Sequence, residues 1–210
     1  MIRLALWVCL VTVPSLAADA DLARLLKGVE QRYNRTKTLK VLFTETYSVQ
    51  GRARKSESGE LTLRKPGRMR WDYTTPSGKL FVSDGHDVYL YTPDNNRVEK
   101  MKLKESEDMR APLAFLLGKL YFDKEFRDLE GHPEGADTRV TGVPKTDNLP
   151  YSEVQFVVTP DYRIREVKIT SLDRSITDFH FDQERLDPKL DEKLFQFQVP
   201  KGVDLVQEGQ

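Results

Sequence analysis

The spacing of apolar residues changes its period near residue 38. From Leu22, the apolar positions Leu25, Leu26, Val29 and Tyr33 recur at helical intervals. They predict an amphipathic helix that opens at Asp21 as its cap and runs to Thr36. Beyond Thr38 the period is two. Val41, Phe43, Glu45, Tyr47 and Val49 share one parity with mostly polar neighbours between them, and Gln50-Gly51 starts a turn. Leu61 and Leu63 alternate in Glu60–Lys65, with Lys65 continuing their parity, before Pro66-Gly67 turns the chain. Arg68-Met69-Arg70-Trp71-Asp72-Tyr73 is the clearest strand: three large apolar side chains point one way and three charges the other.

Short segments of the same kind follow. Lys79–Ser83, Asp87–Tyr91 and Arg97–Leu103 read as strands, and Asp84-Gly85 is a hairpin signal. Pro112 stands where a second helix can begin, with Leu113, Leu116, Leu117 and Leu120 on one face and Gly118 weakening its end. Residues 130–150 are rich in Gly, Pro and Asp and read as loop around one strand, Thr138–Val143. Tyr151–Thr159, Arg163–Ser171 and Ser175–Phe181 are further strands, and Phe195–Val199 with Val203–Val206 form an extended tail. The pattern predicts a single α+β domain of about ten antiparallel strands and two short helices. So long a meander must curl or close to protect its edges.

The first residues follow a different rule. Arg3 precedes an apolar run, Leu4–Leu16, and small-x-small sites follow at Ser15-Leu16-Ala17 and Ala18-Asp19-Ala20. This is the grammar of a secretory signal peptide, expected over residues 1–18 with a mature domain at 19–210, and the run is too short to span a bilayer. The single cysteine, Cys9, lies inside that run, so the mature chain is expected to have no disulfide, thiol nucleophile or thiolate metal site. Removing residues 1–18 takes away only Arg3, which leaves 32 basic against 33 acidic side chains. A net charge near zero argues against a general nucleic-acid binder. The mature chain is expected to be soluble and exported, in the periplasm of a two-membrane bacterium.

Candidate chemistry is sparse. No G-x-S-x-G, H-E-x-x-H or phosphate-cradling glycine loop is present. His86 falls in the turn after Asp84-Gly85 and His132 in a Gly/Pro loop. His180 and Asp182 share a strand face, a two-ligand pattern that suits a metal weakly and a solvated strand face well. The many carboxylates alternate with apolar residues as the wet side of strands do, and no pair stands out as an acid and base.

What remains is apolar. Met69, Trp71 and Tyr73, then Leu61 and Leu63, then Phe43 and Tyr47 line one parity of three successive strands. Such stripes ordinarily fill a sheet core. Two amphipathic helices offering about five and four apolar residues cover only part of the concave side of a ten-stranded sheet. The surplus needs a loop, a partner or a bound apolar molecule.

Several segments occur in a recognisable order: Phe43-Thr44-Glu45, Gly59-Glu60-Leu61, Lys65-Pro66-Gly67-Arg68-Met69-Arg70-Trp71-Asp72-Tyr73 and Pro76, then Val82-Ser83-Asp84-Gly85, Val88–Tyr91, Pro112–Gly118, Phe195-Gln196-Phe197 and Pro200–Val203. Over Leu22–Val206 this resembles the periplasmic outer-membrane lipoprotein carrier proteins of the Lol pathway, most specifically from Leu61 to Tyr91. The resemblance implies an unclosed antiparallel β half-barrel with short helices forming a lid over an apolar cavity. It implies a monomeric carrier, without cofactor or catalysis. Such a carrier takes acylated lipoproteins from an ATP-driven release complex of the inner membrane and gives them to an outer-membrane receptor. By the same likeness Phe43, Leu61, Leu63, Met69, Trp71, Tyr73, Leu80 and Val82 line the cavity, and Pro112, Leu113, Leu116 and Leu117 belong to the lid.

Two departures from the family pattern stand out. The basic residue before the turn proline, usually arginine, latches the lid; here it is Lys65, with Arg64 beside it to share the role. Lysine lacks arginine's two-pronged hydrogen bond. Glu45 stands where glutamine is usual and is expected at the cavity side or rim. Rival expectations are a related cup carrying a pigment or glycolipid, a sensor of mislocalised lipoproteins, which would carry a second domain, and a secreted hydrolase. The hydrolase predicts a cleft with a perturbed carboxylate pair or histidine, and would be favoured by His180 and Asp182 converging with further ligands around a metal.

Overall fold

The computed structural model of the protein describes residues 15–103, 120–146 and 149–207. Helix α1 (Ser15–Arg35) leads into β1 (Thr38–Val49), β2 (Arg52–Arg64), β3 (Arg68–Thr75), β4 (Leu80–Asp84), β5 (Asp87–Thr92) and β6 (Arg97–Lys102). After the one-turn helix α2 (Phe122–Glu125) come β7 (Phe126–Glu134), β8 (Asp137–Pro144), β9 (Tyr151–Val158), β10 (Ile164–Ser171), β11 (Ile176–Leu186) and β12 (Asp204–Gln207). These form one twelve-stranded sheet in the order β12-β6-β5-β4-β3-β2-β1-β11-β10-β9-β8-β7. The sheet is unclosed, ending at β12 and β7, and only the β12–β6 pair is parallel.

Two meanders, β1–β6 and β7–β11, are joined where β1 pairs with β11. The sheet curls hard about that seam. Trp71 on β3 and Phe179 on β11 stand three strands apart, about 14 Å on a flat sheet. Their ring centroids are 5.8 Å apart, so the apolar parity lies on a concave side where side chains from both meanders converge. Gly59 helps to bring this about. It sits in register between Phe43 on β1 and Tyr73 on β3, and without a side chain there the two rings meet edge to face at 5.2 Å. A Cβ at Gly59 would fall 2.0 Å from the carbonyl oxygen of Asp72.

Helix α1 begins at Ser15, ahead of Asp21, which therefore lies inside the helix and pairs with Arg24 instead of capping it. Its apolar stripe meets the concave side, with Leu26, Val29 and Tyr33 buried. Among the described residues no helix is long and apolar enough to cross a membrane.

Strand β7 departs from the expectation of loop over residues 130–150. It pairs with β8 as the edge of the sheet and carries Gly131 and Pro133, with a register shift between Arg127 and Glu130 where Asp128 takes a φ of 52°. An edge strand buries little, so apolar alternation is not imposed on it, and proline is tolerated there. The tail also differs. After β11 the chain crosses the outer face of the sheet, makes a short 3₁₀ turn at Glu192–Phe195 capped by Asp191, and reaches β6 as β12. Phe195 is buried, and Phe197 packs at 5.3 Å from the ring of Tyr89.

Candidate functional site

The concave apolar face is the candidate. Register decides its members. Leu61 pairs with Trp71 and Trp71 with Phe81, and Leu63 pairs with Met69 and Met69 with Ser83. Paired residues share a face. Phe43, Leu61, Leu63, Met69, Trp71 and Tyr73 therefore stand together, all buried. Leu80 and Val82 do not join them. They pair with Asp72 and Arg70 and so occupy the outer face, where Val82 is buried and the 3₁₀ turn of the tail packs against β3 and β4, and Phe81 takes the inward place expected for them. The shift by one residue comes from where β4 begins to pair, which a five-residue apolar strand does not reveal.

The second meander supplies residues that sequence reasoning left out. Phe179 and Phe181 alternate with Asp178, His180 and Asp182 on β11, and Phe156 and Val167 continue the surface across β9 and β10. The alternation around His180 was a usable signal for the two phenylalanines. Nothing in the spacing indicated that β11 would close against β1.

At one end the face has a polar rim. Glu45 pairs across strands with Glu57, and both are buried. Burial works to raise the Glu57 pKa, but hydrogen bonds from Lys55 and Lys79 outweigh it and hold the carboxyl below its usual range. Lys79 also lies over the ring of Tyr73 at 4.3 Å. The expectation that Glu45 reaches the cavity side is met in geometry, with a second carboxylate beside it.

At the other end α1 is bolted down. A bulge at Gln183, φ 54°, turns Glu184 inward beneath the helix. Its carboxylate accepts hydrogen bonds from Arg32 Nη2 (2.5 Å) and from the Tyr33 hydroxyl (2.6 Å). That hydroxyl in turn accepts from the Ile164 N–H at 3.0 Å. Burial first, then the nearby Glu184 charge, pushes the Tyr33 phenol far above its ordinary pKa. Asn34 exchanges two hydrogen bonds with the backbone of Leu120, and Glu30 accepts from the Phe122 N–H.

Lys65 and Arg64 part company. The Lys65 ammonium donates to the Tyr33 carbonyl at 2.7 Å, tying the C-terminal end of α1 to the β2–β3 turn. Arg64, one residue earlier, points to the opposite face. There it donates to the Leu190 carbonyl at 2.7 Å, pairs with Glu192 and lies over Phe195. Arg64 therefore pins the tail and takes no part in the Lys65 contact. Pro112, Leu113, Leu116 and Leu117 lie outside the described residues.

Between α1 and the sheet lies a cavity of about 10 Å³ lined by Tyr33, Leu39, Val41, Leu61, Ile164, Phe181 and Glu184. That is room for about one water. An acyl chain reaches this point only if the surrounding side chains part.

The outer face carries the remaining titratable cluster. Among the described residues, Glu166, Asp178 and His180 offer ligand atoms within 4.8 Å of one another. His180 approaches Glu166 and Asp178 at 3.7 Å each, so its neighbours are these and not Asp182. Arg139 and Lys168 also contact Glu166, at 3.1 and 3.8 Å, and two cations in the cluster disfavour a metal ion. Burial, with the Glu166 charge behind it, raises the Asp178 pKa. His86 and His132 are exposed.

Comparison with known proteins settles the kinship. Residues 34–198 match the family model of the outer membrane lipoprotein carrier protein LolA. The chain belongs to the LolA family. An outer-membrane lipoprotein carrier protein of Alkalilimnicola ehrlichii is 30% identical over 213 residues, spanning 99% of this chain and 94% of that one. One from Chromobacterium violaceum is 29% identical over 171 residues, 81% and 82% of the two chains. A crystal structure of an uncharacterized conserved protein from Thermus thermophilus shares the fold at 13% identity, with a TM-score of 0.53 over 90% of this chain and 99% of that one. The LolA match takes in β1 to β11 and the tail to Gln198, and hence the whole concave face and the Lys65 turn.

Proposed function

We propose that this protein is a periplasmic carrier that shields the acyl chains of lipoproteins on their way to the outer membrane. The observation that supports it is the convergence of apolar side chains from both meanders on one concave face, in a LolA-family chain. Phe43, Leu61, Leu63, Met69, Trp71 and Tyr73, with Phe81 and Phe179, are the residues proposed to touch the chains. The bolts on α1 suit a fixed wall, which leaves opening to other elements. The amphipathic stretch containing Pro112, Leu113, Leu116 and Leu117 is the proposed lid. Residues 1–18 are proposed to be removed on export, leaving the carrier domain at 19–210. An ATP-driven inner-membrane release complex and an outer-membrane receptor are the proposed donor and acceptor, and no catalysis is invoked.

The energetics suit transfer. A chain of about 16 carbons gains on the order of 12 kcal/mol on leaving water. A carrier must capture enough of this to keep the cargo soluble and less than its acceptor offers. Parting packed side chains to admit the chain costs part of the gain, so a close-packed empty state lowers affinity and favours hand-off. The test is a buried charge. Leu61→Glu or Trp71→Glu is expected to abolish acceptance of acylated lipoprotein released from spheroplasts while export continues. Acceptance at the original level would overturn the assignment of the concave face.

A further inference from the structure

Where the end of α1, the start of β1, the β2–β3 turn and the residues after β11 meet, an open groove of about 850 Å³ runs beside the Lys65 contact. Its lining is strongly cationic: Arg35, Lys37, Arg64, Lys65, Arg68 and Lys189. Two acids answer these six. Glu192 is shared by Arg64 and Arg68, and Asp187 accepts from the backbone N–H groups of Lys37 (2.7 Å) and Thr38 (3.3 Å). Lys65 donates to a carbonyl and also feels the Asp187 charge. Arg35, Lys37 and Lys189 are exposed. The groove thus holds a local surplus of four positive charges in a chain whose formal net charge is zero.

The floor of the groove leads inward. Lys37, Thr38 and Lys65 also line a small apolar gap with Tyr33, Leu39 and Leu63, and Tyr33 and Leu39 line the cavity under α1 in turn. A cationic mouth opening onto an apolar interior matches an amphiphile with an anionic head. Pro188 and Leu190 supply apolar wall between the charges.

We propose that this groove binds the phosphate head of an anionic phospholipid, its chains directed past Lys65 towards Leu39 and Leu63. This rests on the reading of the concave face as an acyl-chain site and adds a second cargo class to it. The phosphate competes with the Tyr33 carbonyl for the Lys65 ammonium, so head-group binding releases one contact at the last turn of α1 while the Glu184 and Asn34 hydrogen bonds keep the helix in place. Near an anionic lipid surface each cation contributes about fivefold in affinity.

Calorimetric titration of the full chain with short-chain phosphatidylglycerol, phosphatidylcholine of the same chains, and glycerol phosphate tests this. Phosphatidylglycerol is expected to bind at least about tenfold more tightly than phosphatidylcholine. Lys37→Glu with Lys189→Glu should remove that preference, bringing phosphatidylglycerol affinity down to that of phosphatidylcholine. Both positions are exposed, and Lys37→Gln with Lys189→Gln gives a milder version should the reversal disturb folding. Equal binding of the two lipids by the native chain overturns the proposal. So does glycerol phosphate binding as tightly as phosphatidylglycerol, which would mark an anion site with no use for the chains. Phosphatidylglycerol affinity unmoved by charge reversal, with lipoprotein delivery impaired, would assign the groove to an acidic protein partner instead. An acylated lipopeptide separates the two readings. If it binds where neither lipid does, only the head-group site fails; if it too is refused, the concave face fails with it.

Discussion

Glu184→Ala probes what holds α1 on the sheet. The Glu184 carboxylate is nearly buried, at 5% side-chain exposure, and takes hydrogen bonds from Arg32 and Tyr33. Truncation leaves the Tyr33 hydroxyl hydrogen without an acceptor in a residue only 3% exposed, a cost of about 1–3 kcal/mol. Arg32 retains 26% side-chain exposure and rehydrates in part, so losing its partner adds about 1 kcal/mol after screening. The sum, about 2–4 kcal/mol, is a large share of a typical domain stability of roughly 5–15 kcal/mol. For a chain of this size it lowers the melting temperature by about 5–15 °C. Urea titration followed by circular dichroism gives the free energy. Hydrogen exchange locates it, with amides of α1 losing protection before those of β1 and β11. Tyr33→Phe should cost about 1–3 kcal/mol, because the Ile164 N–H loses its acceptor while Glu184 keeps Arg32. A Glu184→Ala cost below about 1 kcal/mol, or exchange rising evenly through the molecule, would refute the claim that this carboxylate fastens the helix.

Gly59→Ala is expected to cost about 3 kcal/mol or more, read from the urea midpoint, because its Cβ would meet backbone at 2.0 Å and no rotamer can relieve that. Lys65→Met should cost only about 1 kcal/mol, since the Tyr33 carbonyl also accepts from the Thr36 N–H at 3.2 Å and is not left bare. The same variant carries a pH signature. Burial depresses the Lys65 ammonium pKa below its ordinary 10.5, so between the depressed folded value and 10.5 the unfolded chain binds more protons and stability rises with pH across that interval. Urea midpoints of the native chain minus those of Lys65→Met should therefore grow over that window, and a flat difference contradicts the burial of the ammonium.

The linear order of residues determined the strand periods, most of the turns and the inward parity of Phe43, Leu61, Leu63, Met69, Trp71 and Tyr73. Alternation is local: a side chain's face follows from its neighbours two residues away, so it can be read without knowing what lies opposite. The signal faded where local rules weaken. The edge strand β7 buries too little to alternate, and the register that sends Phe81 inward in place of Leu80 and Val82 is set by pairing between strands. The tertiary structure alone decided which distant segments meet. Pairing of β1 with β11 joins the two meanders and brings Phe179 against Trp71. A single positive-φ residue at Gln183 turns Glu184 under α1. The same closure gathers cations from four separate segments into one groove beside Lys65. Charge summed along the chain is zero, and only folding, which fixes distances between residues far apart in sequence, makes a local surplus of it.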